Sequence, residues 1–155
     1  MYTKILVLLD GSELAECVLP YVDWFMKVSK VNEVVFLRVV EPFKIPGGIE
    51  SAVPPDERKR IEKDAIKLAK EYLDKVSGRF KTDKIKLQSL VLLGKPATVI
   101  AEYVAKSDVD LIIMATHGFS GWHRWVSGSI ADEIVHAATA PVFLVTPKDK
   151  PPDKK

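Results

Sequence analysis

The sequence predicts an α/β fold: a doubly wound, parallel five-stranded sheet with helices on both faces. Three observations lead there. Short, nearly unbroken apolar runs, among them Ile5–Leu9, Val34–Val40 and Val109–Met114, have the composition of strands buried on both sides. Segments with helical spacing of apolar residues lie between them. A chain of 155 residues, 47% apolar and 28% charged, suits one domain around one core.

The elements follow in order. Ile5–Leu9 is the first strand, and Asp10-Gly11 ends it. Ser12 is placed to cap a helix whose first turn carries Glu13 and Glu16, where negative charge is favoured. Leu14, Val18, Val22 and Phe25 mark its apolar face, and Pro20 inside it predicts a bend. Val34–Val40 is the second strand. Residues 42–55, with four prolines and Gly47-Gly48, read as a loop, long for a βα connection. The second helix begins near Asp56, with Ile61, Ala65, Leu68, Tyr72 and Val76 as its buried face and Gly78 at its end. Arg58/Glu62 and Glu71/Lys75 read as solvated pairs on its wet side.

Ile85, Leu87 and Leu90–Leu93 form the third strand, alternating at first with Lys84, Lys86 and Gln88. Gly94-Lys95-Pro96 opens a third helix carrying Val99, Ile100 and Val104, with proline at an early position that needs no N–H donor. Val109–Met114 is the fourth strand, residues 115–128 a glycine-containing loop, and Ser129–His136 the fourth helix. Pro141 introduces the last strand, Val142–Val145. The folded domain spans 1–147. The Pro- and Lys-rich tail, 148–155, has the composition of a disordered segment.

Strands and helices that alternate in this way form a parallel sheet with right-handed crossovers. In the Rossmann-like order 3-2-1-4-5, strand order reverses between the first and fourth strands. Ligands bind beyond the carboxyl ends of the strands at such a point. That singles out Asp10-Gly11-Ser12 and the loop after the fourth strand.

Composition narrows the function. A net charge of +2 without a basic stripe gives no footprint for nucleic acid. No signal peptide and no apolar run of membrane-spanning length is found, so the expected location is the cytosol. The one cysteine, Cys17, reads as a packed thiol. There is no P-loop, no G-x-G-x-x-G and no zinc spacing, and Glu133 with His136 lacks the second pair that a metal site needs.

The chemistry gathers in Met114-Ala115-Thr116-His117-Gly118 and, nine residues later, Gly128-Ser129-Ile130. Glycines allow close approach of the backbone to a ligand. The N–H groups of Ser129 and Ile130 have no intrahelical partner at a helix start and form an anion site, to which the Ser129 hydroxyl can add a donor. Asp10 stands opposite as an acceptor for ribose hydroxyls, or as a cap for the first helix. His117 reads as a hydrogen-bonded turn residue. His123 and Arg124 read equally as a solvated loop tip or as phosphate contacts, and Trp122 and Trp125 as packing for the loop or a partner.

These segments resemble the universal stress proteins of the ATP-binding type, whose motif is G-x2-G-x9-G-(S/T). Here it stands as Ala115-x2-Gly118-x9-Gly128-Ser129, with alanine in place of the first glycine. Leu8-Leu9-Asp10-Gly11-Ser12, Gly94-Lys95-Pro96-Ala97 and Ala140-Pro141-Val142-Phe143-Leu144-Val145 are similar to the family's first turn, third-helix start and last strand. The resemblance covers residues 3–146. It implies that Asp10 bonds the ribose and that Val39 meets the adenine through its backbone. Met114 and Ala115 would line the nucleoside, while Gly118, Gly128, Ser129 and Ile130 would hold the phosphates.

The expected function is that of an ATP-binding stress protein acting as a switch or sensor rather than a fast enzyme, with Mg²⁺ as counter-ion.

 The sequence offers phosphate-holding groups but no evident residue to position an attacking water, so slow ATP hydrolysis is the most it implies. Two rival readings stand beside it: a dimeric interaction module that binds no nucleotide, and a nucleotidyl-transferase-like enzyme. The sheet order leaves the third and fifth strands as edges. Lys84, Lys86 and Gln88 guard the third, whereas Val142, Phe143, Leu144 and Val145 leave the fifth open. Antiparallel pairing of that strand with a second copy about a two-fold axis closes both edges. The family resemblance implies the same homodimer.

Overall fold

β1 (Lys4–Leu8), β2 (Glu33–Val40), β3 (Lys86–Leu93), β4 (Leu111–Ala115) and β5 (Val142–Val145) form one sheet in the order β3-β2-β1-β4-β5. Every pairing is parallel, as the alternation of strands and helices predicts. The computed structural model describes residues 1–44, 52–116 and 130–147. The part of the proline-rich loop at 45–51, the glycine loop at 117–129 and the tail at 148–155 lie outside the described residues.

Strand periodicity divides the core into two clusters, one on each face of the sheet. Ile5, Val7, Val34, Phe36, Leu111 and Ile113 face one way, packed by α1 (Leu19–Val28) and α2 (Pro55–Ser77) through Val22, Phe25, Leu73 and Val76. Leu6, Leu8, Val35, Leu37, Ile112 and Met114 face the other way, packed by α3 (Pro96–Lys106) and α4 (Ile130–Ala137) through Ala97, Ile100, Val104 and Ile134. Burial on both faces explains why these strands read as apolar runs rather than as alternating ones. No helix among the described residues is long and apolar enough to cross a membrane.

Three expectations are corrected. The bend expected at Pro20 is instead a change of helix type: a 3₁₀ turn, Ala15–Val18, leads into α1, and Pro20 falls in the first turn of α1. There its missing N–H costs no helical bond. The buried stripe of α2 is also rotated from the expected one. Ala69, Leu73 and Val76 are buried, whereas Ile61 and Leu68 are 38% and 65% exposed. Glu62 is not simply solvated either, because its carboxylate accepts a hydrogen bond from the Phe43 N–H at 3.1 Å and ties the segment after β2 to α2.

The amino ends of the strands are fastened by charge. Asp110 accepts hydrogen bonds from the Thr3 N–H at 2.8 Å and hydroxyl at 2.7 Å, joining the start of β1 to the approach to β4. Glu33 lies between Lys4 at 3.4 Å and Lys86 at 2.8 Å, a bridge across β1, β2 and β3. The hydrogen bond from Lys86, with help from Lys4, holds the Glu33 carboxyl below its ordinary range.

The two faces of α2 can be told apart by mutation. Leu73→Ala is expected to lower the unfolding free energy by about 2–5 kcal/mol, and exposed Leu68→Ala to change it by less than about 0.5 kcal/mol, both measured by urea denaturation. Glu33 gives a pH test. Its folded pKa is depressed, so its contribution is present above the unfolded value and is lost as pH falls through the folded one. Glu33→Gln should therefore be less stable than wild type at pH 7, and the difference should close on acidification. A difference that stays constant down to pH 3 would show that the bridge is not its source.

Candidate functional site

The carboxyl ends of β2, β1 and β4 lie side by side where the strand order reverses. β1 continues one hydrogen bond past its last residue, with the Leu9 N–H donating to the Leu37 carbonyl at 3.0 Å. The chain then turns sharply at Asp10-Gly11-Ser12. Gly11 has a φ of +89°, a left-handed geometry that suits glycine. The Asp10 Oδ1 accepts a hydrogen bond from the Ser12 N–H at 2.9 Å and a second from its hydroxyl. The Ser12 Oγ in turn accepts from the Ala15 N–H at 3.2 Å, so serine caps the turn that leads to α1. Asp10 is thus exposed at the end of the central strand, with one carboxylate oxygen engaged in organising its own turn.

Val39 and Met114 stand at the carboxyl ends of the two strands that flank β1. Both pack on the α3/α4 face, Met114 buried and Val39 half-buried. Ala115 points the other way. It is buried in the α1/α2 cluster and lies opposite Val145 in the sheet. Asp108 is the non-glycine residue with positive φ among those described, so Ala115 takes an ordinary strand conformation. The alanine in the motif therefore has no left-handed backbone to accommodate, and its methyl is absorbed by the core.

Ile130 opens α4 as described and is 47% exposed. Asp132 and Glu133 follow in its first turn, where they complement the positive end of the helix. Lys95, just before α3, approaches Glu133 at 3.9 Å. Gly118, Gly128 and Ser129 lie outside the described residues, as do His117, Trp122, His123, Arg124 and Trp125. The structure thus brings Asp10, Val39, Met114 and Ala115 to the carboxyl ends of neighbouring strands. Val39 and Met114 share one face, and Ala115 belongs to the opposite one.

Sequence reasoning missed a polar network on the α1/α2 side of the same turn. The Arg38 guanidinium lies 5.6 Å from the centre of the Tyr72 ring. The Tyr72 hydroxyl donates to Glu16 Oε1 at 3.1 Å, and Arg79 donates to Glu16 Oε2 at 2.6 Å. Burial, then the charge and hydrogen bond of Glu16, pushes the Tyr72 phenol well above its usual range, and Asp10 adds to the shift. The available signal was Arg38 itself, a charge set among the apolar residues of Val34–Val40. Nearby Cys17 is half-buried, and burial pushes its thiol up, which fits a packed side chain.

Comparison with known proteins gives a consistent picture. The chain is 26% identical to the universal stress protein MJ0577 of Methanocaldococcus jannaschii over 96% of its own length and 98% of that protein's. The solved structure of MJ0577 superposes with a TM-score of 0.79, at 25% identity, covering 97% of this chain and 99% of that one. A universal stress protein of Arabidopsis thaliana with AMP bound shares the fold at a TM-score of 0.60 and 15% identity, covering 97% of each chain. The Archaeoglobus fulgidus universal stress protein in complex with dAMP does so at 0.54 and 20%, covering 92% of this chain and 97% of that one. The sequence model of the universal stress protein family matches residues 1–146, and the chain belongs to that family.

Proposed function

We propose that this universal stress protein binds ATP with Mg²⁺ and acts in the cytosol as a nucleotide-dependent switch or sensor in the stress response. The observation that carries the reading is the placement of Val39, Asp10 and Met114 on three adjacent strand ends at the point of strand reversal. Such a point is the favoured ligand site of an open α/β sheet. An exposed carboxylate there suits sugar hydroxyls, and the half-buried apolar side chain of Val39 beside it suits a base. Relatives in fold that carry AMP and dAMP support an adenine nucleotide as the ligand class. Gly118, Gly128 and Ser129 supply the phosphate contacts in this reading, together with the N–H of Ile130.

Charge argues for the metal. Asp132 and Glu133 already place two carboxylates in the first turn of α4. A triphosphate arriving there meets like charge, and no P-loop lysine offsets it. Mg²⁺ bound through the phosphates would relieve that repulsion, and Arg124 in the motif's nine-residue insert is the chain's own candidate to help.

The chain also forms a homodimer through β5 in this reading. β5 is a sheet edge, and Leu144 is 42% exposed on it. Tyr21 and Trp24 of α1 are 42% and 55% exposed, and Tyr21 packs on Phe143 with ring centres 5.4 Å apart. Apolar surface next to an open edge favours association. The same surface is what favours the second reading, a dimeric interaction module that binds no nucleotide.

Mass spectrometry of small molecules released from the denatured, purified protein should find an adenine nucleotide, and calorimetry should find Mg-ATP binding weakened by EDTA. Ser129→Ala is expected to cost about 1.5–3 kcal/mol of binding, and Gly128→Val to abolish it. Wild-type affinity in both variants would remove the phosphate-site assignment. For the dimer, light scattering coupled to size exclusion should give a mass of two chains. Val145 is buried, so the seam is better read with exposed Leu144→Lys, or with Leu144→Pro, which removes a backbone donor. A wild-type mass of one chain at micromolar concentration would rule the dimer out, and an unchanged dimer in both variants would place the interface elsewhere.

A further inference from the structure

Arg38 is made to fit the turn that follows β1. By strand alternation it projects onto the α1/α2 face, next after Val34 and Phe36, and it is half-buried there. A Cβ built on Gly11 would stand 2.7 Å from its Nη1, 2.8 Å from its Cζ and 3.0 Å from its Nη2. Three guanidinium atoms at nearly equal distance mean that the group lies flat over the position a side chain would fill. The same guanidinium lies over the Tyr72 ring, and Tyr72 is anchored through Glu16 to Arg79. A planar cation is thus packed against both a glycine and an aromatic ring. Arginine suits that geometry and lysine does not.

We propose that Arg38 is a positioning residue for nucleotide binding: packed against Gly11 and Tyr72, it holds the Asp10-Gly11-Ser12 turn in the geometry that presents the Asp10 carboxylate to the ribose. This rests on the nucleotide reading above and adds to it the device that sets sugar recognition. Arg38 works through the turn rather than on the phosphates. Its side chain is on the α1/α2 face, whereas Val39, Met114 and the start of α4 belong to the other. Without the guanidinium, Gly11 loses the group nearest its open side, and the turn that orients Asp10 becomes one of several conformations. Preorganisation of this kind is lost as affinity, because the ordering must then be done on binding.

The test is calorimetry with ATP, AMP, 2′-deoxy-ATP and 3′-deoxy-ATP on wild type, Arg38→Met, Arg38→Lys, Asp10→Ala and the double variant Arg38→Met/Asp10→Ala. Arg38→Met keeps the bulk of the stem, and the melting temperature of each variant checks that it is folded. The expected result is a loss of roughly tenfold for ATP in Arg38→Met, the same loss for AMP, and a collapse of the preference for the hydroxylated sugar. Arg38→Lys should behave like Arg38→Met, and the double variant should bind no more weakly than Asp10→Ala. Tyr72→Leu, which removes the ring but leaves Arg38, should reproduce part of the loss and serves if the Arg38 variants do not fold. An Arg38→Met protein that keeps the wild-type sugar preference overturns the inference alone. So does full rescue by lysine, or a loss that grows with the number of phosphates. Wild type that binds none of the four nucleotides overturns the nucleotide reading and this inference with it.

Discussion

The structure depends on β1 being hydrogen-bonded on both sides and buried on both faces. Ile5, Leu6 and Val7 have no exposed surface, and they pair with β2 on one side and β4 on the other. A parallel strand in that position cannot reach its neighbour by a hairpin. The chain must leave the carboxyl end of β1, cross over one face through α1 to β2, and later return across the other face through α3 to β4. At the carboxyl ends of β1 and β4 the chain leaves toward opposite faces, to α1 after β1 and to α4 after β4, and the candidate site lies where they part. Asp10 is exposed there because the residues before it are committed to the core and the residues after it have already turned away.

The same constraint separates the site into two sides with different work. On the α3/α4 side the strand ends offer Val39 and Met114, apolar and only partly covered in the case of Val39. On the α1/α2 side they offer Arg38, held by Tyr72 and Glu16. The polar network is only partly buried, with Arg38 and Tyr72 half-buried and the Glu16 side chain 20% exposed. Glu16 pairs with Arg79, whose side chain is 54% exposed, and that solvent contact makes the ion pair a tether more than a source of stability.

Most of the fold was legible because parallel strands buried on both faces announce themselves as apolar runs, and glycine and proline punctuate the segments between. Alternation and crossover handedness narrowed the strand order without fixing it, and the expected order 3-2-1-4-5 is the one found. The face of α2 was not legible. Its sequence contains two overlapping apolar stripes, and only contact with β2 and β3 decides that Leu73, not Leu68, turns inward. Nor was the Arg38 network legible, because its members come from β2, the turn before α1, and α2, far apart along the chain. Asp10 could be found from its place after an apolar strand. The partner that packs against its turn could be found only once three elements were in register.

Ala115 shows how a departure from a motif can be absorbed by the scaffold. Glycine in such a position gives either left-handed backbone freedom or room for a ligand. At Ala115 the backbone is ordinary strand, hydrogen-bonded in register with Val145, and the Thr116 N–H continues the pairing by donating to the Val145 carbonyl at 2.9 Å. The freedom is therefore not used. The room lies on the side away from the α3/α4 face, because strand alternation sends the Ala115 methyl into the α1/α2 cluster and the Met114 side chain to the opposite face. What faces the α3/α4 side at the end of β4 is decided by Met114, and the alanine next to it extends the core by one more buried residue. A substitution that reads as a broken motif in one dimension is, in the folded sheet, a residue of the opposite face.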